Sequence, residues 1–126
     1  MSTLLEKIKQ LSAEITPDTL VNRHHIHANP ELSYQEFQTQ AYVLEQLERM
    51  GIKAKKIANT GLIAEIKGKN PDSRVVALRA DMDALPIQEA TGLPHASCHE
   101  GLMHACGHDG HTAMLLAAAE YLASNG

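Results

Sequence analysis

The stretch Ala113 to Ala119, written Ala-Met-Leu-Leu-Ala-Ala-Ala, is the longest uninterrupted apolar run in the chain. It is far shorter than the roughly 20 residues needed to cross a bilayer. Ala and Leu favour helix, so Thr112 to Ser124 is predicted to be a helix ended by Asn125-Gly126. A helix apolar all round must be buried on most sides. That requirement asks for a layered fold, and the 126 residues suffice for one hydrophobic core rather than two.

The rest of the pattern supplies the layers. Thr16-Pro17-Asp18 places a capping hydroxyl before a proline, predicting a helix from there to about Ala28, with a weaker helix before it from Thr3 to Glu14. Asn29-Pro30 stops it. Ser33 and Glu36 have the spacing of a capping box, and Phe37, Ala41, Leu44 and Leu47 repeat at helical spacing up to Gly51, which suits the C′ position. Ile52, Ala54 and Lys56 then alternate as in a short edge strand, and Gly61 opens a second extended segment, Leu62 to Lys67, so that the two form a hairpin or neighbouring pair. Arg74 to Leu78 is continuous rather than alternating, as expected of a central strand buried on both faces. The fold class expected is α/β, a mixed sheet flanked by helices.

Composition excludes several function classes. Charged residues are 21% and hydrophobic residues 44%, which argues against disorder. Net charge is −4, the eleven Lys and Arg are scattered apart from Lys53, Lys55 and Lys56, and aromatics are only 3%, so no nucleic-acid partner is expected. No membrane partner is expected either. The opening Met1 to Gln10 has no long apolar stretch and does not read as a signal peptide, so the expected location is cytoplasmic.

The chemistry concentrates late in the chain. Met103 to His111 packs three histidines, one cysteine and one aspartate into nine residues. Thiolate and imidazole bind borderline-soft divalent metals such as zinc, and carboxylates extend the choice to manganese. Cys106 and His108 flank Gly107, and either an extended or a turning backbone there would let both reach a metal site. Solvated polar loop is the bland alternative. Asp81 and Asp83 follow the predicted central strand, where ligands of open α/β sheets bind. They either cap a turn or orient a metal ligand, with Arg79 placed to balance their charge. His24 and His27 share a helix face, which more often marks a partly buried or solvated feature than a ligand pair. Cys98 and Cys106 could also close a small disulfide loop, although a thiolate role suits Cys106 better.

Three blocks carry a resemblance to a known family: His24 to Glu36 (HHIHANPELSYQE), Leu78 to Pro86 (LRADMDALP) and Thr91 to Thr112 (TGLPHASCHEGLMHACGHDGHT). They resemble the amidohydrolase branch of the aminoacylase and carboxypeptidase metallopeptidases, which includes hippurate hydrolases, N-acyl-amino-acid deacylases and indole-acetyl-amino-acid hydrolases. The resemblance implies a zinc-exopeptidase-like three-layer catalytic domain. It implies Cys106 and His108 as metal ligands, and Asp81 and Asp83 as active-site carboxylates, with Asp83 favoured as the one that orients a ligand. It also implies two divalent ions, Zn, Mn or Co, and metal-assisted hydrolysis of the amide bond of an N-acyl amino acid or small peptide.

Relatives of that type contribute a paired-glutamate motif, two further histidine ligands and an inserted dimerisation domain. The chain has no Glu-Glu pair. Residues 1–126 are therefore expected to be the N-terminal part of the catalytic domain, inactive alone and binding metal weakly or not at all, and associating with itself through exposed apolar surface. A non-catalytic association module and a small metal-binding or redox protein are the alternatives.

Overall fold

The computed structural model describes residues 3–125. Helix α1 spans Leu4–Ala28, α2 Phe37–Arg49 and α3 His108–Asn125, while strands β1, Ala54–Ile57, and β2, Gly61–Ala64, pair antiparallel as a hairpin. The expected stop at Gly126 lies outside the described residues.

The two predicted N-terminal helices are one. Thr3 does cap it, accepting from the Glu6 N–H while the Glu6 carboxylate accepts from the Thr3 N–H, so both orphaned donors are satisfied. Thr16 does not cap a second helix. Its hydroxyl donates instead to the carbonyl of Ser12, 2.7 Å away, and the helix runs through Pro17 at the cost of one backbone bond.

Helix α2 begins close to the expected place by another device. Ser33 donates to Asp83 rather than capping, and the Glu31 carboxylate accepts from the backbone N–H groups of Gln38 and Thr39 and from the Thr39 hydroxyl. A carboxylate at a helix N-terminus meets both the orphaned donors and the positive end of the dipole. The helix is capped at Met50, and Gly51 follows in the C′ position with φ +77°.

Val43, Leu47, Ile52 and Leu116 form the centre of the core, with Met50, Ala54, Leu62, Ile66, Met82 and Ala119 packed around them. This cluster joins α2, the hairpin and α3. Buried Gln40 secures the hairpin by donating to the carbonyls of Asn59 and Gly61.

The expected central strand at Arg74 to Leu78 does not form. Val75 is 92% and Val76 79% exposed, and the sheet consists of β1 and β2 alone among the described residues. A strand buried on both faces needs partners at its edges and layers above and below, and the described residues place none there. The apolar α3 is likewise covered only in part. Ala113 and Leu116 are buried, but Met114 and Leu122 are exposed.

Candidate active site

Two short pairings bring the distant motifs together. The Ala84 N–H donates to the Glu31 carbonyl at 2.7 Å beside a parallel bridge between Leu32 and Ala84, and Leu85 and Met103 exchange both backbone bonds across an antiparallel bridge. The segment after Asp83 is thus held between the Pro30 turn and the loop leading to α3. Gly107, at φ +114°, then turns the chain into α3 with His108 as its first residue. Thr112 locks the next turn by donating to the Asp81 carbonyl at 2.8 Å.

This arrangement places both aspartates against His108. Its Nδ1 lies 2.8 Å from Asp83 Oδ1, and its Nε2 lies 3.4 Å from Asp81 Oδ2. Arg79 reaches Asp81 Oδ1 at 2.7 Å, the charge-balancing contact expected from the sequence. That pair is worth little in energy, because the arginine side chain is mostly in solvent. Cys106 is exposed and its thiol is free, as is that of Cys98.

Behind His108 sits a buried polar cluster that sequence reasoning missed. Asp109, only 1% exposed, accepts from His27 Nδ1 at 2.8 Å, with Arg23 Nε at 3.4 Å. The other ring nitrogen of His27 lies 2.9 Å from Glu89 Oε1. Glu89 also accepts from the Ser97 N–H and from the Thr91 hydroxyl. His24 is not part of this cluster as a ligand; it stacks on His95 with ring centroids 3.9 Å apart. The one signal that could have found the cluster is a polar side chain at a position of α1 that shares the buried face with Asn22 and Ile26.

The electrostatics follow from burial and partners. Burial pushes the Asp109 carboxyl up, but hydrogen bonds from His27 and the Gly110 N–H, with His104 and Arg23 nearby, outweigh it and hold it below its usual range. The Thr91 hydroxyl, then the Ser97 N–H, lower that of Glu89. His104 is buried with neither ring nitrogen bonded to a protein group, and burial pushes its pKa down.

The donor chemistry fits a divalent metal in part. A thiol and an imidazole two residues apart, the imidazole anchored through Nδ1 by a carboxylate, is the arrangement of a histidine ligand with its outer partner. Among the described residues, however, no group of three or more His, Cys, Asp or Glu side chains is placed to hold a metal ion.

Helices around a small sheet thus present a carboxylate-anchored histidine at a helix start. Residues 77–125 match the model of peptidase family M20/M25/M40. The chain is 50% identical over 116 residues to the N-acyl-L-amino acid amidohydrolase of Geobacillus stearothermophilus, covering 91% of this chain and 31% of that protein. It is 52% identical over 103 residues to the hippurate hydrolase of Campylobacter jejuni, covering 81% and 27%. Its fold matches that of the Bacillus subtilis YXEP protein, a dinuclear metal-binding peptidase of the M20 family, with a TM-score of 0.81 and 44% identity over 92% of this chain and 32% of that one. These matches bear out the resemblance read from the sequence: the chain is similar to M20 metallopeptidases and amidohydrolases and corresponds to an N-terminal portion of them. It spans about a third of the length of the curated relatives it matches. No helix among the described residues is long and apolar enough to cross a membrane.

Proposed function

We propose that this chain supplies Cys106 and His108 as metal ligands, and Asp83 as the carboxylate that orients His108, to an enzyme that hydrolyses the amide bond of N-acyl amino acids. The observation that carries this reading is the contact between His108 Nδ1 and Asp83 Oδ1, which aims Nε2 away from the anchoring carboxylate and leaves it as the coordinating atom. Bound by this pair and by donors from the rest of the enzyme, two divalent ions, Zn, Mn or Co, would supply Lewis-acid polarisation of the substrate carbonyl. Asp81, 3.4 Å from Nε2, stands on the coordinating side as the second active-site carboxylate.

Residues 1–126 are in this reading the opening part of the catalytic domain, and the remaining ligands, the general base and the dimerisation domain come from sequence beyond them. Alone, the chain binds metal weakly and does not turn over, because a site with few of its ligands loses most of its affinity. The two free thiols suit the reducing cytoplasm. The exposed Val75, Val76 and Leu78 favour self-association of the isolated chain.

The test is a chimera in which this chain replaces the matching third of the Geobacillus stearothermophilus amidohydrolase, assayed on N-acetyl and N-benzoyl amino acids with Zn²⁺ or Mn²⁺. Turnover by the chimera, abolished by Cys106→Ala or His108→Ala and absent in the isolated chain, is the expected result. Turnover that survives both substitutions, or appears in the 126-residue chain, overturns the assignment.

A further inference from the structure

We infer that His27 is a positioning residue for His108, acting through Asp109. Its functional meaning rests on the ligand role proposed for His108, while the structural relation stands apart from it. His27 is 4% exposed near the end of α1, and each of its ring nitrogens faces a carboxylate. The ring can donate to both when charged and to one when neutral. One carboxylate, Asp109, belongs to the first turn of α3 and is the residue after His108. The other, Glu89, belongs to the loop that precedes α3 and gathers that loop by accepting from Ser97 and Thr91.

The first turn of α3 is therefore held from two sides. On one side Thr112 donates to the Asp81 carbonyl and Asp83 accepts from His108. On the other, His27 and Arg23 grip Asp109. Asp109, Thr112, Ala113 and Leu116 are all buried, and their spacing puts them on one face of α3. His108 begins the helix just before this face. Rotating the turn to release Asp109 would carry the His108 ring off Asp83. A buried ionic contact is weak evidence for net stability, but it fixes one arrangement against its alternatives when its partners are complete. Here what it fixes is the rotation of the turn that presents His108.

The experiment uses the metal-free chain and reads the solvent exchange of the His108 Nδ1 proton by NMR, with the backbone amides of Val43 and Leu47 in α2 as the reference. In His27→Leu, the His108 proton is expected to exchange at least about tenfold faster, as local opening becomes easier, while the α2 amides keep their rates. Unchanged exchange at His108 overturns the inference. So does equal acceleration at His108 and in α2, which would make His27 a general stabiliser. Should His27→Leu lose its helix content, Asp109→Asn, which keeps the side-chain size but not the charge, decides between the same outcomes. Because no metal or substrate is present, a failure here is separable from a failure of the chimera to turn over.

Discussion

The imidazole of His108 meets Asp83 across 25 positions of sequence, with Nδ1 2.8 Å from Oδ1 and 3.0 Å from the Asp83 backbone carbonyl. The two acceptors favour the proton on Nδ1, and in the proposed role Nε2 is then the nitrogen left to coordinate. Removing such an outer partner typically lowers metal affinity about 10–100-fold. Asp83→Ala in the active chimera is expected to weaken Zn²⁺ binding by that factor, measured by competition with a chromophoric chelator. Affinity equal to the parent would show that Asp83 does not orient the ligand.

The pH dependence of stability has a definite sign. Glu89 and Asp109 are held below their ordinary values of 4.5 and 3.8 in the folded chain. Each contributes stability that is present above the unfolded value and lost as pH falls through the folded one. Burial pushes His104 below its ordinary 6.5, so the ring must take up a proton on unfolding and its contribution is also lost on acidification. Urea midpoints of the metal-free chain should fall in two stages, below about pH 6.5 and again in the carboxylate range. His104→Gln should shrink the first stage and leave the part due to His95, which burial also holds below its ordinary 6.5. Parallel curves for the two proteins would show that His104 is not the source.

Local features were legible and long-range ones were not. Helix α2 could be read because Phe37, Ala41, Leu44 and Leu47 keep helical spacing and Gly51 provides the left-handed stop. The hairpin and α3 followed from a change of period and an Ala-Leu run. The expected cap at Ser33 failed because Asp83, 50 positions away, accepts its hydroxyl hydrogen bond, and nothing local announces that competition. Pro17 misled because a proline at N1 and one inside a helix are preceded by the same Thr, and only the Thr16 bond to Ser12 tells them apart. In the site, the density of Cys106, His108 and their neighbours was visible as composition. The pairing of His27 with Asp109 joins residues 82 apart, and no periodicity encodes it.

Gly107 sits at φ +114°, and a Cβ added there would meet no atom within 4 Å. The cost of Gly107→Ala is therefore backbone strain without a clash, of the order of 1–3 kcal/mol. Relief by moving φ to negative values would swing His108 out of the first turn of α3. Thermal unfolding should shift down accordingly, and the exchange of the His108 ring proton should rise in the same variant. A midpoint equal to that of the parent would show that the turn relaxes freely.

Val76 is 79% exposed within the apolar run from Arg74 to Leu78, a pattern suited to a strand covered on both sides. In the isolated chain the same surface is expected to be covered by a second copy, since burying a valine side chain is worth about 1.5–3 kcal/mol. Val76→Lys puts a charge in that contact, and a lysine on an unpaired edge opposes strand pairing. Light scattering across a concentration series should show the parent chain rising above 13.7 kDa and Val76→Lys remaining close to it. Helix content should be unchanged, because residue 76 lies outside the packed core. Equal mass profiles for the two chains would place the association elsewhere, with exposed Leu4, Leu5 and Val21 on α1 the next surface to substitute.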